Sequence, residues 1–135
     1  MKTLITYLVE DSATVLNNLI DTLREIADVT VTAHAATESE ASRWLLLNNS
    51  HWDLAIVDLF LKEGSGLGIL AECRWRASHQ KVVILTNYAT PAIRQRAAAL
   101  GADAVFDKST ELDELIGYCV RQKENAAYLC VSRET

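Results

Sequence analysis

Short apolar runs alternate along the chain with longer stretches in which apolar residues recur every three or four positions. The runs have the length and β-branched content of buried strands, whereas the longer stretches have the spacing of helices with one apolar face. The predicted strands lie at residues 4–9, 54–57, 82–85 and 104–106, with a further strand beginning at residues 29–31. A predicted helix follows each of them, so the pattern indicates an alternating α/β protein.

Polar residues stand where the predicted helices begin. Ser12 is a suitable N-cap for the first helix, and Thr37 with Glu40 three residues later forms a capping box for the second. Thr90 and Pro91 supply an N-cap and a first-turn proline for the fourth helix, and the last helix is expected to begin near residue 109 or 110. The apolar positions predicted to face the core are Leu16, Leu19, Ile20, Leu23 and Ile26 in the first helix, Ala41, Trp44 and Leu45 in the second, and Leu112, Leu115, Ile116, Cys119 and Val120 in the last.

This order of elements restricts the topology. Strands that alternate with helices are parallel and are joined by right-handed crossovers. The sequence therefore predicts a flavodoxin-like, doubly wound (βα)5 fold, a three-layer sandwich around a five-stranded parallel sheet of order 2-1-3-4-5. We place the domain at residues 1–122 and treat residues 123–135 as a C-terminal extension for which no structure is predicted.

Composition narrows the classes of function. The chain has 135 residues, 50% of them hydrophobic and 23% charged, as expected of a single globular domain. Its net charge of −5 argues against direct binding to nucleic acid, and no apolar run is long enough for membrane insertion or a signal peptide. The three cysteines have no metal-ligand or disulfide spacing, so we expect reduced thiols and a cytoplasmic location.

Reactive side chains follow the predicted strands, where ligands bind in sheets of this kind. Glu10 and Asp11 follow the first strand, Asp58 ends the third, Thr86 ends the fourth and Lys108 follows the fifth. Two carboxylates 4 Å apart repel each other by about 4 kcal/mol at an effective dielectric constant of 20. A hard cation with oxygen ligands relieves this repulsion, so the sequence predicts a Mg²⁺ site.

These groups also suit phosphoryl transfer, which depends mainly on positioning and charge stabilisation. We predict that Asp58 is the nucleophile and that Asp11 binds the metal, with Glu10 contributing directly or through water. Lys108 and Thr86 are predicted to hold the other oxygens of the transferred group. The less specific alternative is that each residue is an ordinary polar group at a strand end, as such residues are in most proteins.

The motifs resemble the receiver domain of bacterial two-component response regulators, over roughly nine-tenths of the chain. They are the acidic pair within LVEDS at residues 8–12, the strand LAIVDL at 54–59, ILT at 84–86 and GADAVFDK at 101–108. No single motif is specific, but their order and their positions at strand ends are. The resemblance implies phosphorylation of Asp58 by the phosphohistidine of a sensor histidine kinase or a histidine phosphotransfer protein.

The resemblance carries further expectations for this chain. It implies that the backbone carbonyl of Phe60 completes the metal shell and that the chain catalyses its own phosphorylation and dephosphorylation without being an enzyme for another substrate. It also implies that Thr86 moves on activation and that the surface of the fourth helix, fifth strand and fifth helix changes shape. With no second domain predicted, we expect a stand-alone receiver in a two-component or phosphorelay pathway, with a downstream protein target.

Several positions depart from the family pattern. Val105 stands where the family usually has an aromatic switch residue, and Phe106 follows one position later. Lys62 and Ser109 replace two common prolines, and Asn87 follows Thr86 where a very small residue is usual. We therefore expect switching without the usual aromatic residue and slower phosphorylation than in other receivers.

Two aromatic residues are predicted beside the site. Phe60 and Tyr88 each lie two residues beyond a site residue, at positions that in this family influence how water reaches the aspartyl phosphate. We predict that their rings shield it and prolong its lifetime. Trp44, Trp52 and Trp75 are expected to be packing or partner-contact residues rather than platforms for a cofactor.

Three other functions remain open from the sequence. A flavodoxin-like electron carrier would share the fold, but Glu10 and Asp11 would repel a flavin phosphate. An aspartate-based phosphohydrolase would need its nucleophile beside a second acid near the first strand rather than at Asp58. A phosphorylation-independent interaction module with the shape of a receiver is the third alternative.

Overall fold

Five parallel strands and five helices alternate along the chain, as the apolar pattern predicted. The structure, a computed structural model, describes the backbone of residues 4–134 and the side chains of residues 4–125. The elements are β1 (Thr6–Val9), α1 (Ala13–Ala27), β2 (Val31–Ala35), α2 (Glu38–Leu47), β3 (Leu54–Asp58), α3 (Gly66–Glu72) with a 3₁₀ turn (Cys73–Trp75), β4 (Lys81–Thr86), α4 (Pro91–Ala99), β5 (Ala104–Asp107) and α5 (Leu112–Glu134).

The sheet has the predicted strand order, β2-β1-β3-β4-β5, and all four strand pairs are parallel. The strand order reverses between β1 and β3, where Val9 pairs with Val57. The residues that follow this pair, Glu10 directly after β1 and Asp58 at the end of β3, therefore lie side by side. At such a reversal the helices on the two faces diverge and leave a crevice at the carboxyl ends of the strands.

Apolar side chains on the two faces of the sheet form two cores. One face, with Tyr7, Val9 and Val57, is covered by side chains from α2, α3 and α4. The opposite face, with Leu8 and Ile56, is covered by α1 and α5. Burial on both faces explains why the central strands β1, β3 and β4 are nearly continuous apolar runs, whereas the edge strand β2 alternates between more and less exposed residues.

The predicted helix N-caps are confirmed. Ser12 Oγ accepts a hydrogen bond from the Val15 amide at 3.3 Å, and Thr37 Oγ1 accepts one from the Glu40 amide at 3.2 Å. Thr90 caps α4 in the same way, directly before the proline at its first position. These side chains satisfy amides that have no partner within the helix, so each helix starts at a defined residue.

Two details of the first helix and second strand differ from the prediction. Ile26 belongs to the predicted apolar stripe of α1 but is 64% exposed, because it lies at the edge of the buried stripe formed by Leu16, Leu23 and Ala27. β2 begins at Val31 rather than at the predicted residue 29.

The last helix begins later than predicted and continues further. Asp107 Oδ1 accepts hydrogen bonds from the amides of Ser109 and Thr110 at 2.7 and 3.1 Å, which forms a turn before the helix begins at Leu112. The helix then crosses the predicted boundary after residue 122 without a break and ends at Glu134. Lys123 Nζ joins it to the end of α1 through the Asp28 carboxylate at 2.7 Å. The division at residue 122 stays a prediction, and the side chains of Tyr128, Leu129, Cys130 and Val131 lie outside the described residues.

Within residues 4–134, no helix combines the length and the apolar content that crossing a lipid bilayer requires.

Candidate functional site

Lys108 connects the carboxylates at the ends of the two central strands. Its Nζ donates to Asp58 Oδ2 at 2.8 Å and to Glu10 Oε2 at 2.6 Å. β5 delivers the lysine, whose amide also donates to the Thr86 carbonyl at 2.9 Å. Glu10 is 3% exposed and Asp58 6%, so the three charges are held largely away from water. The structure thus brings together groups that are up to 98 residues apart in the chain.

Asp11 completes an acidic cluster. One carboxylate oxygen from each of Glu10, Asp11 and Asp58 lies within 4.8 Å of the others. The Lys62 amide donates to Asp11 Oδ2 at 2.7 Å and so orients this carboxylate from the loop that follows β3. Sequence reasoning missed this role of Lys62, because a backbone amide leaves no signal in residue type.

The donor set suits a hard divalent cation. All three clustered groups are carboxylates, which are the ligands that Mg²⁺ prefers, and their mutual repulsion favours a cation between them. The Ser12 amide donates to Glu10 Oε1 at 3.1 Å and the Phe60 amide to Asp58 Oδ1 at 3.3 Å, so with the Lys62 amide on Asp11 the backbone orients all three carboxylates. The residues that could hold the metal are therefore the predicted ones, while the contribution of the Phe60 carbonyl stays a prediction.

Burial governs the protonation of Asp58. Desolvation raises the pKa of this carboxyl to about 6, although its hydrogen bond with Lys108 opposes the shift and the Glu10 charge adds to it. Burial by itself would lower the pKa of Lys108, but hydrogen bonds to Asp58 and Glu10 raise it overall. The site therefore holds a permanently charged ammonium beside a carboxylate that is ionised at neutral pH.

Thr86 lies at the rim but its hydroxyl is bound elsewhere. The residue follows Leu85, the strand partner of Asp58, and its side chain is completely buried. Thr86 Oγ1 accepts a hydrogen bond from the Tyr88 amide at 3.1 Å. Among residues 4–125 no hydrogen bond joins this hydroxyl to Asp58 or Lys108. The hydroxyl oxygen can accept this bond while its own hydrogen is donated to another group, so the contact with a transferred group stays a prediction.

The glycines after β3 allow close approaches around the loop that follows Asp58. A Cβ on Gly66 would lie 2.3 Å from the Asp58 carbonyl oxygen, so the loop can return beneath Asp58 only with glycine there. Gly64 and Gly68 instead make room for Glu38, whose carboxylate accepts the Ser65 amide at 2.8 Å. Sequence reasoning missed Glu38, since only the fold places the start of α2 beside this loop.

The two predicted aromatic residues meet beside the acidic cluster. Phe60 and Tyr88 form an edge-to-face pair with ring centroids 5.3 Å apart. The side chains are 54% and 62% exposed, so the pair stands at the mouth of the site rather than within the core.

Arg94 links α4 to the elements around the predicted switch position. Its guanidinium donates to the carbonyls of Ala89 and Val105, both at 3.0 Å, and pairs with the Glu111 carboxylate at the start of α5. Glu111 also accepts the Asp107 amide at 3.0 Å. Sequence reasoning missed this cluster, because it joins three elements that meet only in the fold.

Comparison with known proteins agrees with this geometry. The family profile described as the response regulator receiver domain matches residues 6–119. An uncharacterized transcriptional regulatory protein of Bacillus subtilis, YvfU, is 32% identical over 120 residues, which are 87% of this chain and 59% of the relative. The alginate biosynthesis transcriptional regulatory protein AlgB of Pseudomonas aeruginosa is 31% identical over 87% of this chain and 25% of its own length. The chain thus spans only part of the curated relatives it matches.

Solved structures share the fold. A two-component response regulator of the LuxR family from Aurantimonas sp. SI85-9A1 superposes with a TM-score of 0.76 at 24% identity, covering 86% of this chain and 81% of the other. The CheX-CheY-BeF₃-Mg²⁺ complex from Borrelia burgdorferi contains a chain with a TM-score of 0.71 at 14% identity, covering 85% and 88%. Because the family profile spans most of the chain, and the strand order and the acidic cluster agree with it, this chain belongs to the response regulator receiver domain family.

Proposed function

We propose that the chain accepts a phosphoryl group on Asp58 from the phosphohistidine of a sensor histidine kinase or a histidine phosphotransfer protein. The group is later released by hydrolysis, so the protein acts as a switch in a two-component or phosphorelay pathway. In this proposal the chain promotes only its own modification and is not an enzyme for a separate substrate.

The contact of Lys108 with both Asp58 and Glu10 supports this proposal most strongly. An ammonium held 2.8 Å from the acceptor carboxylate can neutralise a phosphoryl oxygen there without reorganising. A lysine that served only to stabilise the fold would not need two buried carboxylates together with a third within 4.8 Å. This arrangement is costly for stability and suits a site that binds charged groups.

The chemistry requires an ionised acceptor. One carboxylate oxygen of Asp58 forms the new bond to phosphorus while the phosphorus–nitrogen bond of the donor histidine breaks. The imidazole nitrogen keeps the electron pair and takes up a proton. Since the pKa of Asp58 is about 6, the carboxylate is available at neutral pH. In the later hydrolysis a water oxygen bonds to phosphorus and the bond from phosphorus to the Asp58 oxygen breaks. The water loses a proton to the solvent, the carboxylate is regenerated and inorganic phosphate is released.

Mg²⁺ would be held by the carboxylates of Glu10, Asp11 and Asp58 and by the Phe60 carbonyl. When bound, it would neutralise negative charge on the phosphoryl oxygens. Thr86 would donate its hydroxyl hydrogen to one phosphoryl oxygen. Lys108 would give up one of its two carboxylate partners to donate to another phosphoryl oxygen. Movement of Thr86 and Lys108 would then alter the surface made by α4, β5 and α5, where a downstream protein binds. A fold neighbour solved with BeF₃ and Mg²⁺ supports the choice of metal.

The partners and the location follow from this chemistry. The phosphodonor carries a phosphohistidine, and the output is a protein contact rather than direct binding of nucleic acid, in keeping with the net charge of −5. Cys73 and Cys119 are buried free thiols, which supports a reducing compartment and hence the cytoplasm.

Incubation with acetyl phosphate and Mg²⁺, followed by intact-mass measurement, tests the proposal. We expect a mass gain of one phosphoryl group that disappears when EDTA replaces Mg²⁺. Asp58→Asn should abolish the gain, whereas Asp113→Asn, which removes an exposed carboxylate from α5, should leave it unchanged. No modification of the wild-type protein, or equal modification of Asp58→Asn, would contradict the proposal. The first of these results would favour a phosphorylation-independent interaction module.

A further inference from the structure

A groove opens between α2 and the 3₁₀ turn that follows α3, and phosphoryl transfer makes no use of it. It has a volume of about 740 Å³. Its floor includes Leu45 and Trp52, both buried, and its walls include Leu46 and Trp75. We call this feature the Trp75 groove.

The walls of the Trp75 groove carry apolar surface that faces solvent. Trp75 is 84% exposed and Leu46 is 80% exposed. The Arg74 guanidinium lies 5.4 Å from the centroid of the Trp75 ring, close enough for a cation–π contact. Tryptophan and arginine beside a concave apolar floor are the residue types that dominate binding at protein interfaces.

The rim of the groove has an excess of positive charge in a chain whose net charge is −5. Arg43 and Arg74 form no ion pair with any residue between 4 and 125, whereas Arg76 is neutralised by Asp103 at 2.7 Å. Among the described side chains, Glu72 is the one carboxylate that lines the groove, so the guanidinium groups of Arg43 and Arg74 outnumber it. A complementary ligand therefore carries carboxylates beside apolar side chains.

The groove lies at the edge of the sheet opposite to Asp58. Asn49 and Trp52 precede β3 and residues 73–76 precede β4, so the groove lies near the amino ends of these strands. Gln80 joins the two loops there, donating to the carbonyls of Asn49 and Trp52, both at 3.0 Å. Asp58 lies at the carboxyl end of β3, so a ligand in the groove leaves the phosphorylation site open.

We propose that the Trp75 groove binds an amphipathic helix of a partner protein, with apolar residues seated between Leu46 and Trp75 and with acidic residues at Arg43 and Arg74. A channel between two helical elements with an apolar floor accepts a third helix by its apolar face. The proposal goes beyond the phosphorylation of Asp58 and does not depend on it.

A second copy of this chain fits the groove less well. Two copies related by a two-fold axis through the groove would place Arg43 and Arg74 of one copy near the same residues of the other. Like charges at an interface centre oppose association, whereas an acidic helix neutralises them. Charge complementarity therefore selects a different protein as the occupant.

Selection from a phage-displayed library of helical peptides of about 18 residues tests this inference. The immobilised full chain is the target, and clones that also bind Trp75→Ala are removed. We expect enriched peptides to carry apolar residues at i, i+4 and i+7 with Asp or Glu beside them. The most enriched peptide, labelled with fluorescein, should bind Trp75→Ala and the double variant Arg43→Glu with Arg74→Glu at least about tenfold more weakly.

Matched variants separate this surface from general effects. Arg96→Glu reverses one charge on α4, is the control for each single reversal in the groove, and should change the affinity by less than about twofold. Acetyl phosphate should still modify Asp58 when the peptide is bound, so failure of phosphorylation and failure of peptide binding are distinguishable. Because Trp75 is mostly exposed, unchanged thermal unfolding of Trp75→Ala is the check that it folds.

Three results would overturn the inference. The first is a selection in which no clone depends on Trp75. The second is enrichment of basic or uncharged peptides whose affinity is unchanged by the double arginine reversal. The third is sedimentation of the protein alone as a dimer that Trp75→Ala converts to a monomer, since the groove would then hold a second copy.

Discussion

The ammonium nitrogen of Lys108 lies 2.8 Å from Asp58 Oδ2, at the end of the strand where the sheet order reverses. The contact opposes but does not cancel the effect of burial, since the pKa of Asp58 is still raised to about 6. Folding thus holds a carboxylate in a place where its charged form is disfavoured. A cation that binds near this carboxylate therefore stabilises its charged form.

Replacing this carboxylate by an amide should therefore stabilise the metal-free protein. Because the pKa of Asp58 is higher in the folded chain, its contribution to stability is complete below the unfolded value of 3.8 and is lost as the pH rises through about 6. We expect Asp58→Asn in EDTA to raise the free energy of unfolding by about 3 kcal/mol at pH 8, and to have little effect at pH 4. Urea denaturation at the two pH values measures this difference.

Magnesium provides the control for that experiment. It should raise the urea midpoint of the wild-type protein and leave that of Asp58→Asn nearly unchanged, because the variant lacks one of three clustered carboxylates. A variant that is less stable than the wild type at pH 8 without metal would contradict the prediction.

The ion pair between Arg94 and Glu111 should be lost at low pH, which should lower the free energy of unfolding. The hydrogen bond from Arg94 lowers the pKa of Glu111, so its contribution is present above the unfolded value of 4.5 and is lost as the pH falls through the lower folded value. Glu111→Gln should reduce the thermal midpoint at pH 7 and converge with the wild type at low pH. Glu114→Gln, an exposed neighbour on α5, is the matched control, and a pH-independent difference would count against this prediction.

Tyr7 presents a buried hydroxyl without a partner among the described side chains and backbone. Its ring stacks on Trp44 with centroids 4.0 Å apart, and this contact does not need the hydroxyl. Tyr7→Phe should therefore raise the free energy of unfolding by about 1 kcal/mol. Chemical denaturation measures it, with Tyr118→Phe for comparison. A loss of stability in Tyr7→Phe would mean that the hydroxyl has a partner, such as a buried water.

The ring pair of Phe60 and Tyr88 should slow the hydrolysis of phosphorylated Asp58. The rings meet at the mouth of the site but remain more than half exposed, so we expect partial shielding from water. The double variant Phe60→Asn with Tyr88→Glu should lose the phosphoryl group roughly threefold to tenfold faster. Decay of the modified intact mass measures the rate. Equal rates of hydrolysis in the variant and the wild type would show that the two rings do not shield the phosphoryl group.

Much of the fold was predictable from local pattern. Strand and helix positions follow from apolar spacing, and the caps at Ser12, Thr37 and Thr90 follow from residue type, because both depend on neighbours within four positions. Boundaries were less predictable where a side chain acts over a turn, as Asp107 does in delaying the start of α5. The exposure of Ile26 depends on where the sheet lies against α1, which periodicity does not specify.

The candidate site was likewise predictable only in part from the sequence. Periodicity and the rule for strand ends were sufficient to select Glu10, Asp11, Asp58 and Lys108 as residues of one rim. They did not predict that Lys108 contacts two carboxylates, or that the Thr86 hydroxyl accepts a hydrogen bond from the Tyr88 amide. These contacts depend on how strand ends are staggered and on which backbone amides turn inward.

The sequence by itself determined the order of strands and helices and which chemical groups stand at the strand ends, because hydrophobic periodicity and capping act within a few residues. Only the tertiary structure decided which of those groups touch, how Arg94 joins α4 to β5 and α5, and that Arg43 and Trp75 border one groove. Such pairings join residues tens of positions apart. Packing of whole elements sets their distances, and no local pattern encodes them.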